Sequence, residues 1–170
     1  MEPIFFFHGL EGSPEGTKGR FLADRFAGLI RPQLSPDPAA RLELVLALVQ
    51  SPSLLVGSSL GGLTALMFAQ KKPELVTGLL LVAPAVGFFP EVEISEHHRG
   101  LLAGLVVPAG IPTVILGATQ DHLIPQSALE ALVVRSPEPR RIELWMRPDD
   151  HSLNRHLEAI LAGINRLREL

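Results

Sequence analysis

The sequence predicts an α/β fold, a mostly parallel sheet of about six strands with helices on both faces, built as one domain from residues 1–170. Two observations carry that prediction. Apolar runs of strand length alternate with segments of helical periodicity along the whole chain, and the runs are continuous rather than alternating, as in parallel strands covered on both faces. Two of these runs also end directly in glycine-rich loops, and α/β proteins bind ligands at the carboxyl ends of their strands. A chain of 170 residues with 46% hydrophobic content buries a sizeable core and needs no second domain.

Taken in order, Ile4–Phe7 is an apolar strand between Pro3 and Gly9, followed by the loop His8-Gly9-Leu10-Glu11-Gly12-Ser13-Pro14-Glu15-Gly16. Phe21, Leu22, Phe26, Leu29 and Ile30 recur at helical spacing and predict a helix over 17–30. Arg31-Pro32-Gln33-Leu34 reads as a short edge strand, because proline removes a ladder donor. Ser35-Pro36-Asp37-Pro38 then opens a helix to about Gln50, with Leu42, Val45, Leu46 and Val49 inward. A strand over 54–57 passes into a helix that stops near Lys72, before Pro73. Gly78–Ala83 is the next strand, and residues 85–110 form an excursion over the sheet with one or two short helices. Strands over 113–117 and 141–146, and helices over 126–135 and 153–167, complete the alternation. There is no internal repeat and no low-complexity segment.

Composition excludes several kinds of chemistry. Without cysteine there is no disulfide, no thiolate nucleophile and no cysteine metal site. A net charge of −3 with no basic block argues against nucleic acid and against docking on anionic membranes. The N-terminal apolar run is too short for a signal segment and no run has the length of a membrane span, so a soluble, cytoplasmic protein with a small-molecule ligand is expected. The sequence is silent on oligomeric state.

Gly57-Ser58-Ser59-Leu60-Gly61 fits G-x-S-x-G where a strand becomes a helix, a sharp turn that forces the serine into a strained conformation and pushes its hydroxyl out above the sheet. The same pentapeptide also describes an ordinary glycine-serine turn, so its partners decide the reading. A serine hydroxyl needs a base to take its proton, and that base needs an acid to orient it. Asp121 lies in the loop after one strand and His151 in the loop after the next, on the same rim as Ser59. Taken alone, Asp121 is a turn or cap residue and His151 a solvent histidine. Asp149 and Asp150, adjacent to His151, are read as loop or capping residues. Backbone N–H groups of Leu60 and Leu10 are the expected oxyanion donors, with His8 bracing the Leu10 loop. Adjacent His97 and His98, read in an extended segment, point in opposite directions, and His151 and His156 lack helical zinc spacing; no metal and no cofactor is expected. His122 is placed at the pocket, and Phe88 and Phe89 belong to the core or to a pocket wall.

These blocks make the chain resemble an α/β-hydrolase and, more narrowly, the small bacterial YqiA-type serine esterases. The resemblance rests on Phe7-His8-Gly9-Leu10-Glu11-Gly12-Ser13-Pro14, Pro32-Gln33-Leu34, Val56-Gly57-Ser58-Ser59-Leu60-Gly61-Gly62, Ala83-Pro84-Ala85-Val86 and the late Asp121 and His151, in the order Ser, Asp, His. It implies a cofactor-independent carboxylesterase acting on small acyl esters, with Ser59, Asp121 and His151 at the triad positions. Gly117-Ala118-Thr119-Gln120-Asp121 lacks the glycine that many relatives carry directly before the aspartate. The expected form is a minimal fold that omits the first two strands and has little or no lid. An acyl thioesterase on the same machinery, or a binding protein that kept the fold without the activity, are the alternatives.

Overall fold

A computed structural model describes residues 1–170. Its sheet has five strands, β1 (Ile4–Phe7), β2 (Ser53–Ser58), β3 (Val76–Val82), β4 (Thr113–Ala118) and β5 (Ile142–Arg147), in that spatial order. Every neighbouring pair is parallel. The helices are α1 (Thr17–Ala23), α2 (Pro38–Leu48), α3 (Leu60–Lys71), α4 (Glu96–Ala103), α5 (Gln126–Arg135) and α6 (Leu157–Arg168). No helix is long and apolar enough to cross a membrane.

The continuous apolar runs bury both sheet faces because successive side chains leave a strand on opposite sides. Leu55, Leu79, Leu81 and Ile115 face one cluster, which takes residues from α2, α3, α4 and α5. Leu54, Val56, Leu80 and Val114 face the other, closed by Leu22 of α1 and by Ile160 and Ile164 of α6. Each fully buried side chain of this kind contributes roughly 1.5–3 kcal/mol of transfer free energy, so the sheet is the anchor against which loops are set.

The expected sixth strand at 31–34 is reduced to a single bridge between Ile30 and Phe5. Ile30 donates its N–H to Ile4 O and accepts from Phe6 N–H, as a parallel edge strand would. The next ladder bond from that edge would fall to residue 32, which is proline and has no N–H, so pairing stops after one residue. The helix expected over 17–30 also ends early, at Ala23. Phe26 still donates to Leu22 O, but the chain then turns through Gly28 to bring Ile30 back against β1, a course that a straight helix cannot follow. The 85–110 excursion contains one helix, α4, whose first turn holds His97 and His98; they are therefore helical rather than extended. Leu102, Val107 and Ile111 anchor that excursion in the core.

Two local devices set the loops at the carboxyl edge of the sheet. At the start of α3, a Cβ on Gly61 would lie 1.9 Å from Phe7 O, and one on Gly57 would lie 2.3 Å from Gly61 O. The helix therefore begins in direct backbone contact with the end of β1. After β5, the side chain of Asp149 is 1% exposed and accepts from the N–H groups of Asp150 and Arg155, from Arg155 Nε at 2.9 Å and from His156 Nδ1 at 3.0 Å. Burial alone would raise the Asp149 pKa, but the bonds from His156, Arg155 and the two amides outweigh it and bring the group from 3.8 to about 2.

Gly61→Ala is expected to destabilise the protein by at least about 3 kcal/mol in urea unfolding, since its methyl meets backbone rather than a flexible side chain. Gly100→Ala, inside α4 with open space around it, is expected to stabilise by about 0.5–1 kcal/mol in the same assay. Because the folded Asp149 holds its proton less tightly than the unfolded chain does, its contribution is complete above the ordinary carboxylate range and is lost as pH falls from about 4 to about 2. Thermal unfolding followed by circular dichroism should show Asp149→Asn melting several degrees lower at pH 7, with the gap to wild type closing through that acid window.

Candidate active site

Ser59 sits between β2 and α3 with φ 54° and ψ −114°, a left-handed backbone that a residue bearing a Cβ adopts only under constraint. The constraint is visible on both sides. Ser59 N–H donates to Val82 O at the end of β3, and Ser59 O accepts from Ala85 N–H just beyond it. The side chain is thereby turned out of the sheet at the N-terminus of a helix of 12 residues, where backbone N–H groups are unpaired and negative charge is favoured.

The β4–β5 ladder continues past both strands and brings the two later residues together. Thr119 N–H donates to Arg147 O and Gln120 N–H to Asp149 O, so the loops carrying Asp121 and His151 leave the sheet as neighbours. His151 Nδ1 lies 2.7 Å from Asp121 Oδ2, and His151 Nε2 lies 2.8 Å from Ser59 Oγ. The three expected residues form one hydrogen-bonded series. The other Asp121 oxygen, Oδ1, accepts from the N–H groups of Leu123 and Ile124, so the carboxylate both closes its turn and holds the imidazole. Burial would raise the Asp121 pKa, but the bonds from His151, Ile124 and Leu123 hold it below its ordinary value. An ionised acceptor at Oδ2 selects the His151 tautomer with the proton on Nδ1, leaving Nε2 free to take the serine proton. Neither carboxylate of Asp149 or Asp150 hydrogen-bonds to His151; Asp150 accepts from Ser152.

The loop after β1 lies against the serine. A Cβ on Gly9 would stand 3.3 Å from Ser59 Cβ, so glycine lets the loop approach the serine this closely without crowding it. The Leu10 N–H that follows meets no acceptor within the protein, and the Leu60 N–H is the first of α3. His8 is 2% exposed, with Nδ1 2.7 Å from Gly9 O and Nε2 accepting from Leu34 N–H at 2.9 Å. Burial, opposed by the bond to Gly9 and aided by the Arg41 charge, lowers its pKa. His8 is thus a neutral brace between the loop and residue 34.

Sequence reasoning missed Arg41. It is fully buried on the inner face of α2 and donates to Ser35 O at 2.6 Å, His8 O at 2.5 Å and Gly9 O at 2.9 Å. The available signal was its position four residues before Val45 and beside Leu42, on the apolar stripe of α2.

Ser59 and His151 open into a cleft of about 590 Å³ with Leu10, Leu60, Phe88 and Leu123 on its walls. Phe88 serves both as wall and as a half-buried neighbour of the core. His122 is exposed and does not line the cleft. Lys18 does, with Nζ 3.0 Å from Asn154 Oδ1; burial draws its pKa down to about 8 against the pull of Asp149 and Asp150.

The sequence profile of the family described as serine hydrolase matches residues 25–136, more than half of the chain, and includes Ser59 and Asp121. No curated protein matches the chain in sequence. Among solved structures, mouse alpha/beta hydrolase domain-containing protein 10 is 19% identical with a TM-score of 0.80, covering 98% of this chain and 89% of that one. A protein of the alpha/beta superfamily from Xanthomonas campestris pv. campestris is 24% identical with a TM-score of 0.76 and full coverage, 100% of both chains. Est1E from Butyrivibrio proteoclasticus, with ferulic acid bound, is 15% identical with a TM-score of 0.77, covering 99% of this chain and 88% of that one. At these identities the likeness is one of fold, and it agrees with the elbow and the sheet order described above. By that family match, the chain belongs to the serine hydrolase family.

Proposed function

We propose that the protein is a carboxylic ester hydrolase that works through an acyl-enzyme on Ser59. The observation that supports this reading most directly is the unbroken series Ser59 Oγ, His151 Nε2, His151 Nδ1, Asp121 Oδ2 at 2.8 and 2.7 Å. His151 takes the Ser59 proton as Oγ bonds to the ester carbonyl carbon, and the carbonyl oxygen becomes an oxyanion facing the Leu60 and Leu10 N–H groups. Collapse breaks the ester C–O bond, and His151 returns the proton to the departing alcohol. Water then attacks the acyl-enzyme, giving one proton to His151, and the carboxylic acid leaves as Ser59 is reprotonated. Asp121 stays ionised throughout and stabilises the imidazolium. Apolar walls in a cleft of about 590 Å³ suit a small acyl group, aliphatic or, as in the ferulic acid complex of Est1E, aromatic.

The test is fluorophosphonate labelling together with hydrolysis of short p-nitrophenyl esters. Wild type should label and turn over, and Ser59→Ala should do neither; labelling that persists in Ser59→Ala would overturn the assignment. Asp121→Asn, which removes the acceptor that fixes the imidazole tautomer, is expected to lower kcat by roughly 10³–10⁴-fold with KM little changed. An acyl-CoA and a p-nitrophenyl ester of equal acyl length separate ester from thioester use, and the ester is expected to show the higher kcat/KM.

A further inference from the structure

We propose that Arg41 is a positioning residue for this reaction, holding the loop after β1 so that its backbone donors face the oxyanion. The inference rests on the ester hydrolase reading above. Arg41 is 0% exposed, yet no carboxylate pairs with it; its acceptors are the carbonyls of Ser35, His8 and Gly9. Burial lowers its pKa, and no neighbouring acid counters that effect. A buried cation without an ionic partner is costly, and removing it would leave two or three carbonyls short of donors.

Two of those carbonyls belong to the loop that meets Ser59. In a trans peptide the C=O and the following N–H point in opposite directions. Fixing Gly9 O on the guanidinium therefore turns the Leu10 N–H away from Arg41, and fixing His8 O does the same for the Gly9 N–H. Gly9 itself lies against the serine, since a Cβ on it would stand 3.3 Å from Ser59 Cβ. The same cation polarises both peptide units, which strengthens their N–H groups as donors. Gly9 O also accepts from His8 Nδ1–H and Gly12 N–H, so the peptide is held from three sides and the guanidinium supplies the charge. Lysine would replace it only in part, because its three donors radiate from one nitrogen, whereas the fork meets the three carbonyls from three separate nitrogens.

The test compares Arg41→Met and Arg41→Lys with Leu42→Ala, a core substitution one residue away that does not touch the loop. All are assayed on p-nitrophenyl butyrate, well below their melting temperatures, and on inhibition by butylboronic acid, which forms a tetrahedral anion on the serine. A positioning role predicts kcat lower by about 100-fold in Arg41→Met with KM within about threefold, and boronate affinity weakened in parallel. Arg41→Lys should lie between Arg41→Met and wild type, and Leu42→Ala should keep kcat and boronate affinity near wild type. Unchanged kcat in folded Arg41→Met, an effect confined to KM, or failure of both arginine variants to fold would overturn the inference. Wild type without Ser59-dependent turnover would instead overturn the hydrolase reading on which it stands.

Discussion

The site depends on the strained backbone of Ser59. A backbone at φ 54° costs on the order of 1–3 kcal/mol for a residue with a Cβ, and it persists because its surroundings permit no other course. β2 and α3 meet through glycines whose Cα atoms stand where a methyl would strike backbone, and the peptide groups on either side of Ser59 are tied to the end of β3. The strain is a consequence of how closely the helix packs on the sheet. Loosening either contact would let the chain relax and withdraw the hydroxyl from the rim.

Placing β2 inside the sheet gives the serine a working neighbour on each side. β1 delivers the His8–Leu10 loop, and β3 delivers the Ala83–Ala85 turn that pins the elbow. Asp121 and His151 come from the loops after β4 and β5, farther along the sheet, and reach Ser59 because that ladder runs on beyond the strands. His151 therefore inherits its position from backbone pairing, while Asp149 secures the loop behind it.

How much of this was legible follows from what each residue's pattern encodes. The elbow was readable because glycine and serine at fixed offsets describe a backbone shape. Ser59, Asp121 and His151 were readable because each follows a recognisable apolar strand. For Asp121, the two readings do not exclude each other: one carboxylate oxygen closes the turn and the other meets His151. The missing N–H of Pro32 reads as an edge strand over 31–34, but in the fold the same missing donor ends pairing altogether after the single bridge at Ile30. Helix α1 was drawn too long because periodicity registers which side chains are apolar and not where the chain must turn back. Arg41 is hard to read because a charge ordinarily marks a solvent-facing position, although its place on the stripe of α2 says otherwise.

Arg41 is also one instance of a wider solution to a problem that this fold creates. Parallel strands end in loops whose carbonyls lack ladder partners, and a chain without cysteine cannot cross-link those loops covalently. Guanidinium groups do that work at three places. Arg41 gathers the carbonyls of Ser35, His8 and Gly9; Arg99 gathers those of Phe88, Phe89, Pro90 and Val92; Arg135 reaches from α5 to Leu102 and Leu105. Each fork serves several acceptors from one side chain, which an ammonium does less well. One difference sets Arg41 apart: two of the three carbonyls it holds belong to the loop that lies against Ser59, so the bonds that stabilise this loop also fix the orientation of its peptide groups.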